Sequence, residues 1–282
     1  SYLTGRSHSV IANSIQSNCF SLYYGVPQGS VLGPRLFSLY ISHLPTVMKE
    51  FDVNHHMYAD DTQLVKSAHV EDQSVLVRKV EACCQKVKSW MCTNQLKLNE
   101  HKTEVLICSS RSVSRSIDIS SLAVGNASVP ISSHARNLGV ILDSTLSMEK
   151  QVNQSVKTLN FELRRIAKMK NYLTPDSLKS VVCSLILSRL DYCNSLLAGL
   201  PDKLLKKLQR VQNNAARLVL GKTLFDSPTD LLIRLHWLPV KARIEYKLAV
   251  LCFKSFIDHS APHYLKTLIS PYKPERTLRS GN

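Results

Sequence analysis

The sequence predicts an α+β fold, in which an antiparallel sheet with packed helices over residues 1–143 is followed by an all-helical region. Two features of the chain support this division. Short β-prone runs separated by turn residues continue as far as Asp143, and from Met148 onward apolar residues recur at the helical period of about 3.6 residues. With 282 residues, 44% hydrophobic and 20% charged, the chain is typical of a globular protein with a sizeable core.

The first part of the chain alternates strands with helices. A hairpin is expected where the runs 9–12 and 19–23 flank a polar turn, and a helix from about Leu32 should be closed by Pro45. A second helix is expected over 71–93, with an apolar face made of Val77, Val80, Cys84, Val87 and Met91. The other predicted strands cover 53–59, 62–66, 102–108, 122–124, 129–131 and 135–143.

The second part of the chain is predicted to consist of helices at about 148–170, 175–198, 202–220, 228–235 and 240–258. In the third of these, the apolar residues form one stripe, and four basic residues lie mostly outside it: Lys203, Lys206, Lys207 and Arg210. We divide the chain into residues 1–143, 144–221 and 222–282, the last of which stops without an obvious helix cap.

Composition excludes several classes of protein. The apolar runs are far shorter than the ~18 residues of a membrane span, and no basic-then-apolar leader is present. None of the eight cysteines forms the C-x-x-C spacing typical of zinc ligands. We therefore expect reduced cysteines in an intracellular protein, with nucleus and cytoplasm both compatible and no membrane partner. Because the chain begins at Ser1 without a Met, we expect it to be part of something longer.

Positive charge is concentrated in the helical part. Residues 1–143 carry 13 Lys+Arg against 11 Asp+Glu, whereas residues 144–282 carry 23 against 10. A neutral part joined to a basic helical part favours a polyanionic partner such as nucleic acid. The plainer interpretation is a basic, well-solvated surface with no such partner.

Two adjacent carboxylates, Asp60 and Asp61, fall at the tip of the hairpin predicted over 53–66. Aspartate is among the residues that tolerate turn conformations, which places the pair between the two strands. Neighbouring carboxylates repel each other unless a cation lies beside them. The pair is therefore a candidate magnesium site.

A loop with unusual backbone geometry precedes the first predicted helix. Residues 25–34 contain glycines at three positions spaced by four, and Pro27 and Pro34. Backbone amides at such a helix start can approach an anion, although no Gly-Lys-Ser/Thr follows, which excludes a Walker loop. Taken alone, the loop is weak evidence for anion binding and is better explained by close packing.

Together these elements resemble the reverse transcriptase of LINE-type (non-LTR) retrotransposons over nearly the whole chain. The two most specific matches are the segment 25–34, similar to the family's glycine–glutamine–glycine loop, and Tyr58 to Asp61, similar to its metal-binding box. Supporting matches are the lysine motif at 99–104, the primer-grip strand at 138–143, and the helical segments at 188–194 and 235–240.

The resemblance implies a partial polymerase palm over residues 1–143, a helical thumb over 144–221 and a helical extension over 222–282. It implies an RNA template, a DNA primer and deoxynucleoside triphosphates as partners. Asp60 and Asp61 would bind Mg²⁺, with Mn²⁺ as an alternative, for two-metal nucleotidyl transfer.

The resemblance also assigns roles around the metal. Gln28, Gly29 and Ser30 would bound the nucleotide and template pocket, and Tyr58 would lie beside the primer terminus. Lys102 would protonate or stabilise the leaving pyrophosphate, unless it is simply an exposed strand lysine. Two further groups would hold the nucleic acid: the primer grip (Leu138, Gly139 and Val140) and the phosphate-contacting basic residues (Lys203, Lys206, Lys207 and Arg210).

One departure from the family pattern limits these expectations. The family carries another metal-binding aspartate before the glycine–glutamine loop, whereas residues 1–49 contain no Asp or Glu. We expect the chain to begin after that motif and hypothesise that it does not polymerise by itself. Mg²⁺-dependent, templated incorporation by residues 1–282 alone would contradict this hypothesis. The alternatives are a non-catalytic nucleic-acid-binding remnant and, less favoured by the helices after Asp143, an intron-encoded maturase.

Overall fold

The computed structural model describes residues 3–258 and 260–270, which form two compact units. The first unit extends as far as Val105 and also includes 110–132, and the second comprises 106–109 and the described residues from Ser133 on. Helices and small antiparallel sheets occur together, as the predicted α+β class requires. Residues 271–282, the end of the predicted helical extension, lie outside the described residues.

The first unit begins with two nested hairpins. Strand β1 (Arg6–His8) pairs with β4 (Phe20–Leu22), and β2 (Ile11–Ala12) pairs with β3 (Ile15–Gln16) between them. A hairpin therefore exists in this region, but the predicted pairing of the run 9–12 with the run 19–23 is wrong. Residues 6–8 pair with 20–22 instead, and 11–12 pair with 15–16, which lie inside the predicted turn.

Helices α1 (Gly33–Tyr40) and α2 (Leu44–Lys49) replace the single helix predicted from Leu32. The prediction that Pro45 ends a helix is wrong, since Pro45 lies in the first turn of α2. At that position its missing N–H has no intrahelical partner to lose, so proline is tolerated there. The prediction mistook a start signal for a stop signal.

A small core forms where α2 and α3 (Gln73–Thr93) pack beside the hairpin of β5 (Asn54–Tyr58) and β6 (Asp61–Val65). Its buried residues are Leu44, Met48, Val53, Cys83 and Val87. Helix α3 confirms the predicted helix and its apolar face: Val87 is buried, and Val77, Val80, Cys84 and Met91 are half-buried. Cys83, which the predicted face did not include, is fully buried as well.

The first unit ends in the antiparallel pair of β8 (Ser121–Val124) and β9 (Ala127–Ser132), and the two-residue strand β7 (Val105–Leu106) lies where the chain passes from one unit to the other. The predicted strand over 102–108 is only two residues long. Lys102 instead ends a 3₁₀ turn, Glu100–Lys102.

The second unit begins with a hairpin where one strand was predicted over 135–143. Strands β10 (His134–Asn137) and β11 (Val140–Asp143) are antiparallel, and the chain reverses at Leu138 and Gly139. Both turn residues have positive φ, which turns the strand back on itself.

Except for α10 (His263–Leu268), which has no buried residue, the helices of the second unit share one large core that includes Val152, Ile186, Val211 and Leu232. The helices are α4 (Glu149–Met169), α5 (Pro175–Val182), α6 (Ser188–Asp191), α7 (Asp202–Leu220), α8 (Pro228–Leu235), α9 (Val240–Phe256) and α10 (His263–Leu268). The predicted helix over 175–198 is interrupted: Cys183–Leu187 is a π-helical turn, and Cys193 has φ 51°. Among the described residues, no helix is long and apolar enough to span a membrane.

Candidate functional site

Asp60 and Asp61 lie at the exposed tip of the β5–β6 hairpin, as predicted. Tyr58 pairs with Asp61, which leaves Ala59 and Asp60 as the two turn residues. Ala59 has φ 53°, a left-handed conformation that costs a non-glycine residue roughly 1–2 kcal/mol. Backbone strain of this kind is found preferentially at functional sites.

The strands of this hairpin pack against the rest of the first unit, whereas the carboxylates at its tip have no partners among the described residues. Met57 and Leu64 pack against the small core of the first unit. Near the open end, Lys66 Nζ lies 2.5 Å from the Asp52 carboxylate, and this hydrogen bond lowers the pKa of Asp52. Neither the Asp60 nor the Asp61 carboxylate has a hydrogen bond or ion pair with any residue that the structure describes. Both are therefore available to a ligand.

Carboxylate oxygens are the ligands that Mg²⁺ and Mn²⁺ prefer, so the two side chains suit such an ion chemically. Across residues 3–258 and 260–270, no group of three or more His, Cys, Asp or Glu side chains is arranged to hold a metal. The hairpin thus offers two acidic ligands.

The glycine-rich loop before α1 forms a tight turn. The Ser30 amide and hydroxyl both donate to the Pro27 carbonyl, at 3.2 and 2.6 Å, and Gly29 between them has φ 77°. Gly29 therefore occupies a conformation that glycine tolerates without strain. Gln28 and Gly29 are exposed and Ser30 is half-buried.

Lys102 follows an anchored acidic residue. Glu100 Oε1 accepts the Asn126 amide at 3.2 Å and pairs with Lys88 Nζ at 2.7 Å, and both contacts lower the pKa of Glu100. A Cβ at Gly125 would come within 2.2 Å of that oxygen, so the Glu100 side chain would have to move, and the φ of 62° at Gly125 also favours glycine. The Lys102 side chain is exposed and has no ion pair among the described residues.

The turn at Leu138 and Gly139 is held by a residue from a distant helix. Leu138 has φ 43° and Gly139 has φ 84°, so Leu138 is strained as Ala59 is. The Tyr192 hydroxyl donates to the Leu138 carbonyl at 2.6 Å. Val140, the third predicted grip residue, is 4% exposed and belongs to the large core. Sequence reasoning did not identify Tyr192, although it lies in the segment 188–194 that carries part of the resemblance.

Asp143, at the end of the same hairpin, serves the fold. Its carboxylate accepts from the Thr145 hydroxyl at 2.8 Å and amide at 3.2 Å, from the Ser147 amide at 3.0 Å and hydroxyl at 3.1 Å, and from the Met148 amide at 2.9 Å. Burial alone would raise the pKa of Asp143, but these hydrogen bonds outweigh it and lower the pKa below its usual value. The acid thereby fixes the start of α4.

The predicted basic face of α7 is present. Lys203, Lys206 and Arg210 are exposed, whereas Lys207 is half-buried and donates to Asn153 Oδ1 at 2.7 Å. The opposite face contains Gln212, 0% exposed, whose amide donates to the Leu238 carbonyl at 2.9 Å. This contact attaches the segment before α9 to α7.

Comparison with known proteins agrees with the resemblance seen in the sequence. A family described as reverse transcriptase (RNA-dependent DNA polymerase) matches residues 2–163, more than half of the chain. The RNA-directed DNA polymerase from mobile element jockey of Drosophila funebris is 24% identical over 78% of this chain and 24% of that protein. The probable RNA-directed DNA polymerase from transposon X-element of Drosophila melanogaster is 25% identical over 82% of this chain and 25% of its own length.

A third relative, the RNA-directed DNA polymerase from mobile element jockey of Drosophila melanogaster, is 26% identical over 65% of the chain and 20% of that protein. The chain thus spans about a quarter or less of the length of these curated relatives. No solved structure gives a significant match. The alternative of a non-catalytic remnant is not favoured by these names. The resemblance to the LINE-type enzymes is confirmed, and the chain belongs to the reverse transcriptase (RNA-dependent DNA polymerase) family.

Proposed function

We propose that this chain supplies the metal-binding hairpin, primer grip and thumb of an RNA-directed DNA polymerase from a LINE-type retrotransposon. Residues 1–143 would be the palm part, 144–221 the thumb and 222–282 its helical extension. The RNA template, DNA primer and deoxynucleoside triphosphates would be its partners. The observation that carries the proposal is the pair Asp60 and Asp61, whose carboxylates are exposed and without partners among the described residues.

The metal proposal rests on the kind of ligand that the hairpin offers. Reverse transcriptases generally use divalent metal ions. Mg²⁺ is commonly held by one or two carboxylates together with substrate phosphates, so Asp60 and Asp61 suit it when a nucleotide supplies further oxygens. A bound ion would activate the primer hydroxyl and offset charge on the triphosphate. The protein's part is to hold the two acids at a tip that the substrate can reach.

Other residues of the first unit would position the substrates. Tyr58 is 69% exposed and pairs across the hairpin with Asp61, which places it beside the carboxylates. The Pro27–Ser30 turn leaves Gln28 and Gly29 exposed, so backbone could approach a nucleotide there. Lys102 would stabilise or protonate the leaving pyrophosphate, and its exposed ammonium, which has no ion pair among the described residues, is available for this.

Residues of the second unit would hold the duplex without reading its sequence. Leu138 and Gly139 would present the grip turn to the primer strand, and Val140 would anchor that turn in the core. Lys203, Lys206 and Arg210 would contact phosphates from the exposed face of α7. Lys207, because it also donates to Asn153, would contribute less.

Substitution of the hairpin acids in the polymerase that contains this chain tests the proposal. Asp60→Asn and Asp61→Asn should each reduce Mg²⁺-dependent primer extension by roughly a thousandfold, because a metal ligand supplies several kcal/mol of transition-state stabilisation. The affinity for primer–template should change less than about twofold, because a carboxylate does not attract a phosphate unless a metal ion lies between them.

Asp118→Asn is the matched control, because Asp118 is also an exposed acid of the first unit and its carboxylate has no partner among the described residues. Its primer extension should equal that of the wild type. Undiminished synthesis by the Asp60→Asn protein would show that the metal assignment is wrong.

A further inference from the structure

Two segments that carry part of the resemblance, 188–194 and 235–240, have no role of their own in the proposed function, and the structure brings them together. The first contains the short helix α6 and Tyr192, whose hydroxyl holds the Leu138 carbonyl of the grip turn, Leu138 and Gly139. The second connects the end of α8 to the start of α9. Contacts between the two segments therefore bear on the grip turn.

Arg243, in the second turn of α9, connects the two segments. Its Nη1 lies 2.5 Å from Asp191 Oδ2, and its Nε donates to the Leu238 carbonyl at 2.9 Å. A guanidinium group presents its donors in a fixed planar fork, so one side chain can reach both acceptors at once. The Arg243 side chain is only 17% exposed, which limits competition from water. Arg243 thus fixes Asp191 relative to the start of α9.

Two amide side chains of α7 hold the α9 end of this bridge in place. Gln212, which is fully buried, donates to the same Leu238 carbonyl at 2.9 Å, and Gln209 accepts the Val240 amide at 2.8 Å. Gln209 also donates to Gln212 Oε1 at 3.0 Å, so each glutamine uses both its nitrogen and its oxygen. A polar network that is satisfied in this way is rigid. Arg243 therefore extends from a firmly held part of the second unit.

The other end of the bridge is a tight turn that carries Tyr192. Asp191 is the last residue of α6, and the buried Asn194 donates to its second carboxylate oxygen at 3.4 Å. Cys193, between them, has φ 51°, an unfavourable conformation for a non-glycine residue that persists only when its surroundings impose it. With a donor on each oxygen, the Asp191 carboxylate closes this turn and sets the direction in which Tyr192 leaves it.

We infer that Arg243 and Asp191 are positioning residues for nucleotide addition, because they act through Tyr192 on the grip turn. The guanidinium holds the carboxylate that closes the Tyr192 turn, and the tyrosine hydroxyl fixes the Leu138 carbonyl. Leu138 has φ 43°, so it also needs such support from outside the turn. The inference rests on the proposed function for the reaction that the turn serves, whereas the coupling between these residues does not.

Hydrogen exchange in the 282-residue chain tests the coupling. Arg243→Gln and Asp191→Asn should each accelerate exchange at the Gly139 and Val140 amides by roughly three- to tenfold, the effect of losing about one hydrogen bond. Arg234→Gln is the matched control, because Arg234 is an exposed arginine of α8 with no ion pair among the described residues. Exchange at both amides in the control should equal that of the wild type.

A double-mutant cycle with Tyr192→Phe separates positioning from a general loosening of the helices. In the Tyr192→Phe background, Arg243→Gln should accelerate exchange at the two amides by less than about twofold, because the link through the hydroxyl is already lost. The core amides of α4 should exchange at the same rate in every variant. If the two accelerations multiply, or if α4 loosens as much as the turn does, Arg243 only fastens α9 and the inference is overturned.

Primer extension by the polymerase that contains this chain tests the role in the reaction. Arg243→Gln should lower kcat about three- to tenfold and leave the KM for deoxynucleoside triphosphates unchanged, because a misplaced primer end slows the chemistry and not nucleotide binding. Arg234→Gln should match the wild type. An unchanged kcat, together with loss of synthesis in Asp60→Asn, would overturn the inference and leave the proposed function standing. Faster exchange at the turn together with normal synthesis by Asp60→Asn would support the coupling and contradict the proposed function.

Discussion

The hairpins β5–β6 and β10–β11 both turn through a strained residue, but they use their aspartates in opposite ways. Each reverses through a non-glycine residue with positive φ, Ala59 in one and Leu138 in the other. In the first hairpin, Asp60 and Asp61 are exposed and their carboxylates have no partners among the described residues. In the second, Asp143 is 7% exposed and its carboxylate accepts five hydrogen bonds.

This difference separates an acid that is available for chemistry from one that is already used by the fold. A carboxylate whose oxygens are all hydrogen-bonded gains little from a metal ion, and replacing it costs the fold much of its stability. A carboxylate without partners contributes little to folding, so its substitution should cost activity and spare stability. The comparison can be tested residue by residue.

The largest effect on stability should come from Asp143→Asn. The amide replaces an oxygen that accepts hydrogen bonds by a group that donates, so buried donors near Thr145, Ser147 and Met148 lose their partner. We expect a loss of about 1–3 kcal/mol in the free energy of unfolding, measured by urea denaturation. Asp60→Asn should change the free energy of unfolding by less than about 0.5 kcal/mol. If both variants lost the same free energy of unfolding, the distinction between the two hairpins would be wrong.

The stabilisation by Asp143 should also depend on pH. Because its folded pKa is lowered, the native state binds fewer protons than the unfolded chain, whose Asp pKa is about 3.9. The contribution is therefore complete above that value and is lost as the pH falls through the folded pKa. Urea denaturation at several pH values should show the difference between wild type and Asp143→Asn shrinking in acid; a constant difference would contradict the assignment.

A smaller effect is expected for Tyr192→Phe, which removes the hydroxyl that holds the Leu138 carbonyl. A single neutral hydrogen bond contributes about 0.5–1.5 kcal/mol, and Tyr192 is 55% exposed, so the lower part of that range applies. Hydrogen exchange at the Gly139 and Val140 amides should accelerate more than exchange in α7. Tyr172→Phe, which alters a tyrosine that is 88% exposed, is the control and should leave both rates unchanged.

The smallest effect should follow Ala59→Gly. Glycine removes the roughly 1–2 kcal/mol cost of the left-handed conformation but adds about 0.5–1 kcal/mol of unfolded-chain entropy. The two terms largely cancel, and a net gain between about 0 and 1.5 kcal/mol is expected. Thermal unfolding measures it. A clear loss of stability would show that the alanine methyl group makes a contact which the turn needs.

Local pattern was sufficient for the elements whose geometry is set by their own residues. The alternation of residues around Met57 and Leu64 and the turn tolerance of aspartate predicted the β5–β6 hairpin. The helical period predicted α3, α4 and α7, since one continuous apolar stripe determines each of them.

The failures occurred where distant contacts decide the structure. Leucine rarely adopts positive φ, so nothing local marks Leu138 as a turn residue; its carbonyl is held by Tyr192, 54 residues later. The role of Asp143 likewise depends on how the following residues fold back on its carboxylate. The active-site assignment came from the resemblance, because two adjacent acids alone indicate only that a cation could be bound.

The most direct test of the central claim is metal binding at the β5–β6 tip. Mn²⁺ added to the isotopically labelled 282-residue chain should broaden the NMR amide signals of residues 58–62 most strongly, and Mg²⁺ should reverse the broadening. The double variant Asp60→Asn with Asp61→Asn should lose this effect while Asp118→Asn retains it. Broadening that persists in the double variant, or that centres on Asp143, would contradict the assignment of Asp60 and Asp61 as the metal ligands.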